Sequence, residues 1–142
     1  MERLIEVAMQ EGIVIIENAP LPKSYLGLYV QEENYKPSAS LSKSIYGQRK
    51  MERAVLAEEI GHYFTVVEHN VPRYFKKYSD QLKFSRQEYR AARKGAQLLI
   101  YPEEILEAVT HGLEEVWELA EHFDVPEEFM LLRLNVWKIS GK

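Results

Sequence analysis

The sequence predicts an α+β fold, a small antiparallel sheet of about three strands packed on a helical bundle. Three observations carry this expectation. Short β-branched and aromatic runs bounded by Gly, Pro and Asn crowd into residues 13–46. From Gln48 onward the apolar residues recur instead at helical spacing. No repeat, low-complexity tract or linker interrupts the 142 residues, a length that suits one domain over 1–142 with a single core.

Residues 2–10 read as a short helix, with Leu4, Ile5, Ala8 and Met9 on one side and Gly12 beyond its end. Ile13 to Ile16 is a β-branched run and reads as a strand. Pro20 and Pro22 mark the following loop. Leu26 to Val30 is the second expected strand, and Ser40 to Tyr46 a weaker third. Residues 49–67 form a long amphipathic helix through Met51, Val55, Leu56, Ile60, Tyr63, Phe64 and Val67, which Asn70 and Pro72 end. The basic, aromatic stretch 73–84 reads as irregular, and Ser85 opens a helix running to Leu99 or Ile100. Residues 101–136 form a C-terminal helical subregion. Pro102 stands at a first helical position and Gly112 breaks that helix. Leu113 to Phe123 makes the next, and Pro126 opens a last one through Asn135.

Composition narrows the function classes. Apolar residues make up 46% and charged residues 28%, the balance of a folded soluble domain rather than a disordered chain. There is no cysteine. Disulfides and thiolate metal sites are therefore excluded, and any metal must be held by His, Asp, Glu or water. The N-terminal run is charged and lacks the apolar stretch of a signal peptide, and nothing approaches a membrane span; a cytoplasmic protein without a membrane partner is expected. The net charge of −4 argues against direct nucleic-acid binding. Positive charge gathers between Arg73 and Lys94, the pattern of a solvated helix face or a surface for an acidic partner.

The chemistry concentrates in Glu58-Glu59-Ile60-Gly61-His62. In an HExxH helix, residues four apart share one face, so both histidines reach one zinc ion, and the glutamate after the first histidine addresses the metal-bound water. Here Glu59 takes the base position, His62 the second ligand position, and Glu58 replaces the first histidine. A carboxylate oxygen reaches zinc at about the same distance as an imidazole nitrogen, so the pattern still describes a metal site. The extra carboxylate weakens preference for Zn2+ over Mn2+ or Mg2+. Read blandly, the same residues are a surface Glu–His pair. Gly61 speaks against that reading, because glycine costs ~1 kcal/mol inside a helix and suits a place where another backbone comes close.

A third protein ligand is required, and Glu88, 26 residues past His62, is the best candidate. Ser85-Arg86-Gln87-Glu88 also matches a capping box, in which Glu88 would bond the backbone N–H of Ser85. On spacing alone the cap is the favoured role, because the pattern is itself a helix-start signature.

The run Val55 to Thr65 resembles the core motif of the ImmA/IrrE family of bacterial and prophage metallopeptidases, a branch of which carries Ala-Glu-Glu-(Leu/Ile)-Gly-His. The run Gln87-Glu88-Tyr89-Arg90-Ala91-Ala92-Arg93-Lys94-Gly95-Ala96 is similar to that family's second block, and Leu119 to Phe123 with Val125 and Arg133 resembles its C-terminal helices. The resemblance spans residues from about 12 to 136. It implies a zincin-like domain and an endopeptidase that cleaves a helix-turn-helix repressor, switching on prophage, mobile-element or stress genes. It also implies Glu58, His62 and Glu88 as metal ligands, Glu59 as catalytic base, and Zn2+ as cofactor with Mn2+ as the alternative ion. A relative that binds the repressor without cutting it is the competing expectation, which Glu58 permits.

Other features carry less. His69 does not match the spacing of an extended zinc helix, His111 falls at a helix end and His122 in an acidic helix, and each reads as a surface or structural residue. Tyr63 reads as core or rim, and Trp117 and Trp137 as packing for the C-terminal helices. Stretch 73–84 reads as a site rim or packed loop rather than a stacking surface for nucleic acid. Leu113 to Asn135 has a helix-turn-helix outline, but Glu127 and Glu128 would open its recognition helix with acid where phosphate should lie.

Overall fold

The structure, a computed structural model, describes residues 2–65 and 78–142, and of residues 78–85 the backbone only. It contains helix α1 (Glu2–Glu11), strands β1 (Val14–Ala19), β2 (Gly27–Val30) and β3 (Ser38–Ser42), then helices α2 (Arg49–Thr65), α3 (Tyr78–Leu99), α4 (Pro102–Thr110), α5 (Val116–Phe123) and α6 (Glu127–Ser140). The expected α+β class holds. Asn70, Pro72, His69 and the first five residues of the stretch 73–84 lie outside the described residues; its remainder, expected to be irregular, is helical.

The sheet is mixed rather than antiparallel, with strand order β1-β3-β2. β2 pairs antiparallel with β3 (Leu28↔Ser40, Tyr29↔Ala39), whereas β1 pairs parallel with β3 (Val14↔Ser38, Ile16↔Ser40). Two chain reversals separate β1 from β3, so the two run the same way once β3 inserts between its predecessors. The strand expected to be weakest is the central one. Its Ser-Ala-Ser-Leu-Ser run has little β-propensity, but its small side chains fit between two flanking strands, and Ala39, Ser40, Leu41 and Ser42 are all buried. β3 also stops earlier than expected. Residues Lys43–Ile45 form a 3-10 turn, with the Ser42 hydroxyl accepting from the Ser44 N–H at 3.1 Å.

One sheet face carries Ile15, Ala39, Leu41 and Tyr29, and its β2 and β3 part packs on α2. That helix is buried on more than one side: Val55, Leu56, Ala57, Glu59, Ile60, Gly61 and His62 are nearly consecutive and all buried. It is thus buried over more of its circumference than the one apolar face its periodicity suggested. Its N-terminal half is clamped to the end of α5. Arg53 donates from Nε to Asp124 O at 2.9 Å and from Nη2 to Phe123 O at 3.1 Å, Arg49 pairs with Asp124, and Lys50 pairs with Glu121. Cations there meet the carbonyl end of the α5 dipole.

α3 begins at Tyr78, seven residues before the expected start at Ser85. α4 starts at Pro102 as expected, and Glu104 accepts from the Tyr101 N–H at 2.8 Å while also pairing with Arg3 at 2.6 Å. Arg133 of α6 is fully buried, donating to Ile100 O at 2.8 Å and to Lys142 O at 2.5 Å, so it ties the end of α3 to the end of α6. Trp137 packs against the core, but Trp117 is 58% exposed, contrary to expectation. It sits ~200° round α5 from the buried Leu119, so one short helix cannot bury both. Glu127 and Glu128 stand exposed in the first turn of α6.

Candidate metal centre

The centre is made where α2 and α3 cross closely. A Cβ added to Gly61 would lie 2.0 Å from Ala91 O, and one added to Gly95 would lie 2.0 Å from Ala57 O. The two glycines are therefore required by backbone contact, and Gly61 sits in the helix for the reason its sequence position suggested. The reciprocal pairs 57/95 and 61/91 show the helices running antiparallel. Glu88 lies one turn before Ala91, on the α3 face turned to α2, and so arrives opposite His62.

Glu58, His62 and Glu88 form a group that can hold a metal ion, their donor atoms all lying within 4.8 Å of one another. His62 is fully buried, with Nε2 3.1 Å from Glu88 Oε1. Two ligands bound tetrahedrally at zinc distances stand ~3.4 Å apart, so this separation suits a shared ion. Glu59 is 7% exposed, and its Oε1 lies 3.8 Å from His62 Nε2. All four residues singled out in the sequence thus come together.

The capping-box alternative for Glu88 does not apply. Ser85 lies inside α3, seven residues past its start, where the backbone N–H already belongs to the helical ladder. The Glu88 carboxylate faces His62 instead.

Electrostatics give a reason for a cation. Burial, a hydrogen bond to Glu88 and the charge of Glu88 push the Glu58 carboxyl up to about 8, against the opposing effect of His62. Two carboxylates crowded beside a buried imidazole are an acceptor-rich cluster, and a divalent ion offsets both their desolvation and their repulsion. The donor set is oxygen and nitrogen only, which fits Zn2+ or Mn2+ and defines neither.

Two site neighbours escaped the sequence reading, both on β2. The Tyr29 ring, 2% exposed, stacks on His62 with centroids 6.2 Å apart and planes 18° from parallel. Gly27 sits against Glu59, since a Cβ there would lie 2.9 Å from Glu59 Oε2. The only signal for them was period-two alternation, which places residues 27 and 29 on one face without saying what they face.

The remaining candidates lie elsewhere or fill other roles. Tyr63 is partly buried against the core, its hydroxyl pushed up by burial and by Glu11. His111 caps α4, with Nδ1 2.7 Å from Glu107 O, and His122 is exposed beside Phe123. Those two histidines line a separate hollow with Glu104 and Glu107. No described helix is long and apolar enough to cross a membrane. Comparisons with models of protein families, with curated proteins and with solved structures find no match.

Proposed function

We propose that the protein is a divalent-metal-dependent endopeptidase of the ImmA/IrrE type, acting on a helix-turn-helix repressor. The observation that carries the reading is the convergence of Glu58, His62 and Glu88 from two helices locked at backbone contact, with the Glu59 carboxylate beside them. An ion held there supplies Lewis-acid activation of water and of the scissile carbonyl. Glu59 accepts the proton of the attacking water at a carboxylate oxygen and returns it to the leaving amine nitrogen. Its near-complete burial keeps bulk solvent away from that transfer. Among the described residues β2 is an edge strand of the sheet, and it holds Gly27 against Glu59, so an extended peptide added along that edge would pass the centre. The repressor as substrate rests on the resemblance of residues 55–65 and 87–96.

The test is incubation with the repressor encoded beside the protein's own gene. A discrete fragment is expected, lost in Glu59→Gln while metal content and melting temperature are kept. Cleavage by that variant at an unchanged rate would sink the mechanism. The alternative, an anti-repressor that binds without cutting, is favoured by one feature: Glu58 stands where the zinc motif has its first histidine. Stable complex formation with no fragment at any metal concentration would select it.

A further inference from the structure

We infer that β2 is the positioning strand of this centre: Tyr29 sets the plane of the His62 ring, and Gly27 makes the room in which Glu59 sits. The inference rests on the metal-centre reading above, and neither residue is a ligand.

Gly27 and Tyr29 are alternate residues of one strand and so present to the same face. That face is fixed by the pairing Gly27↔Leu41 and Tyr29↔Ala39, whose β3 partners are both wholly buried. β2 is therefore a rigid wall against the second half of α2. A histidine ring turns about a soft, roughly two-fold torsion, so its backbone alone does not decide where Nε2 points. A second ring lying 18° from parallel at 6.2 Å restricts that rotation to orientations that keep the stack. In the one present, Nε2 is 3.1 Å from Glu88.

Gly27 acts by having no side chain rather than by conformational freedom, since it is not among the glycines of positive φ. An added Cβ would meet Val55 Cγ1 at 2.5 Å, Glu59 Oε2 at 2.9 Å and Glu59 Cγ at 3.1 Å. Any larger residue forces Val55 and the Glu59 side chain, or the strand itself, to shift. The same strand thus governs a ligand and the base beside it, two residues apart along its own length.

The experiment is a Co2+ titration of the metal-free protein, followed by visible absorption, together with NMR of the His62 ring and the Glu59 carboxyl. Tyr29→Phe keeps the ring and is expected to bind Co2+ within about twofold of the unaltered protein. Tyr29→Leu is expected to bind about tenfold or more weakly, the usual effect of removing a residue that orients a ligand. In the metal-free proteins the His62 ring should give one narrow set of signals in the unaltered and Phe forms, broadened in the Leu form. A folded Leu variant with unaltered affinity and unaltered ring signals overturns the role of Tyr29. For Gly27, the Gly27→Ala, Val55→Ala double variant removes the valine contact and leaves that with Glu59. Its Glu59 carboxyl carbon signal should move relative to Val55→Ala alone, and an unmoved signal overturns that half. Absence of Co2+ uptake by the unaltered protein would count against the metal reading itself, while the ring and carboxyl signals still decide the role of β2.

Discussion

At the scale of single residues, Glu58 is where the chemistry is most finely balanced. The folded protein holds a proton on this carboxyl up to about pH 8, whereas the ordinary value is 4.5. Between those values the folded state binds a proton that the unfolded chain has released, so raising the pH destabilises the fold. The metal-free protein should therefore melt at progressively lower temperature from about pH 5 to about pH 8 and change little further above that. Glu58→Gln should flatten the profile, because the amide carries no titrating proton; thermal melts across that range, in chelator, check it. A bound ion competes with the same proton, so uptake should tighten as pH rises through the window. Glu58, Glu59 and His62 were legible because helical spacing alone puts them at one end of one helix. Tyr29 and Gly27 were not, because their relation to α2 depends on how the sheet lies against it, which no local spacing encodes.

At the scale of elements, the α2–α3 crossing decides whether ligands from different helices can meet. Replacing glycine with alanine in a helix ordinarily stabilises by ~1 kcal/mol. At Gly61 the sign should reverse, since the new methyl would stand 2.0 Å from Ala91 O, a backbone atom that yields only if the helices part. Overpacking of that kind costs about 1–3 kcal/mol or more. Gly61→Ala is expected to lower the melting temperature by several degrees and weaken metal uptake, and Gly95→Ala to do likewise through Ala57 O; calorimetric melting and metal titration measure both. A rise in melting temperature would show that the helices are not in contact there. The sequence marked Gly61 as a place of close approach, and Gly95 now appears as its counterpart. It misplaced the start of α3 because Ser85-Arg86-Gln87-Glu88 imitates a capping box inside a continuous helix. It also missed the parallel pair β1–β3, since strand order follows from burial of the small β3 side chains rather than from chain order.

For the whole molecule, the C-terminal helices hold the scaffold on which the centre is built. α5 receives Arg49, Lys50 and Arg53 from α2, and α6 sends the buried Arg133 to the end of α3. Arg133→Ala would strand Ile100 O and leave a cavity, a loss of about 3 kcal/mol or more. A melting temperature lower by about 10 °C is expected, with metal affinity of the folded protein unchanged. Parallel loss of affinity at temperatures where the variant is folded would instead make Arg133 part of the site's support. The class of fold was readable from the change of period near residue 48, and the helical C-terminal third from Pro102, Gly112 and Pro126. The tie made by Arg133 was not, because an arginine among apolar residues gives no sign of which distant carbonyls it reaches. The account turns on whether Glu58, His62 and Glu88 hold one divalent ion, and calorimetric titration of the metal-free protein with Zn2+ measures this most directly. One ion per chain, lost in His62→Ala and in Glu88→Ala with the fold intact, is the predicted result; no uptake, or uptake indifferent to both substitutions, would contradict it.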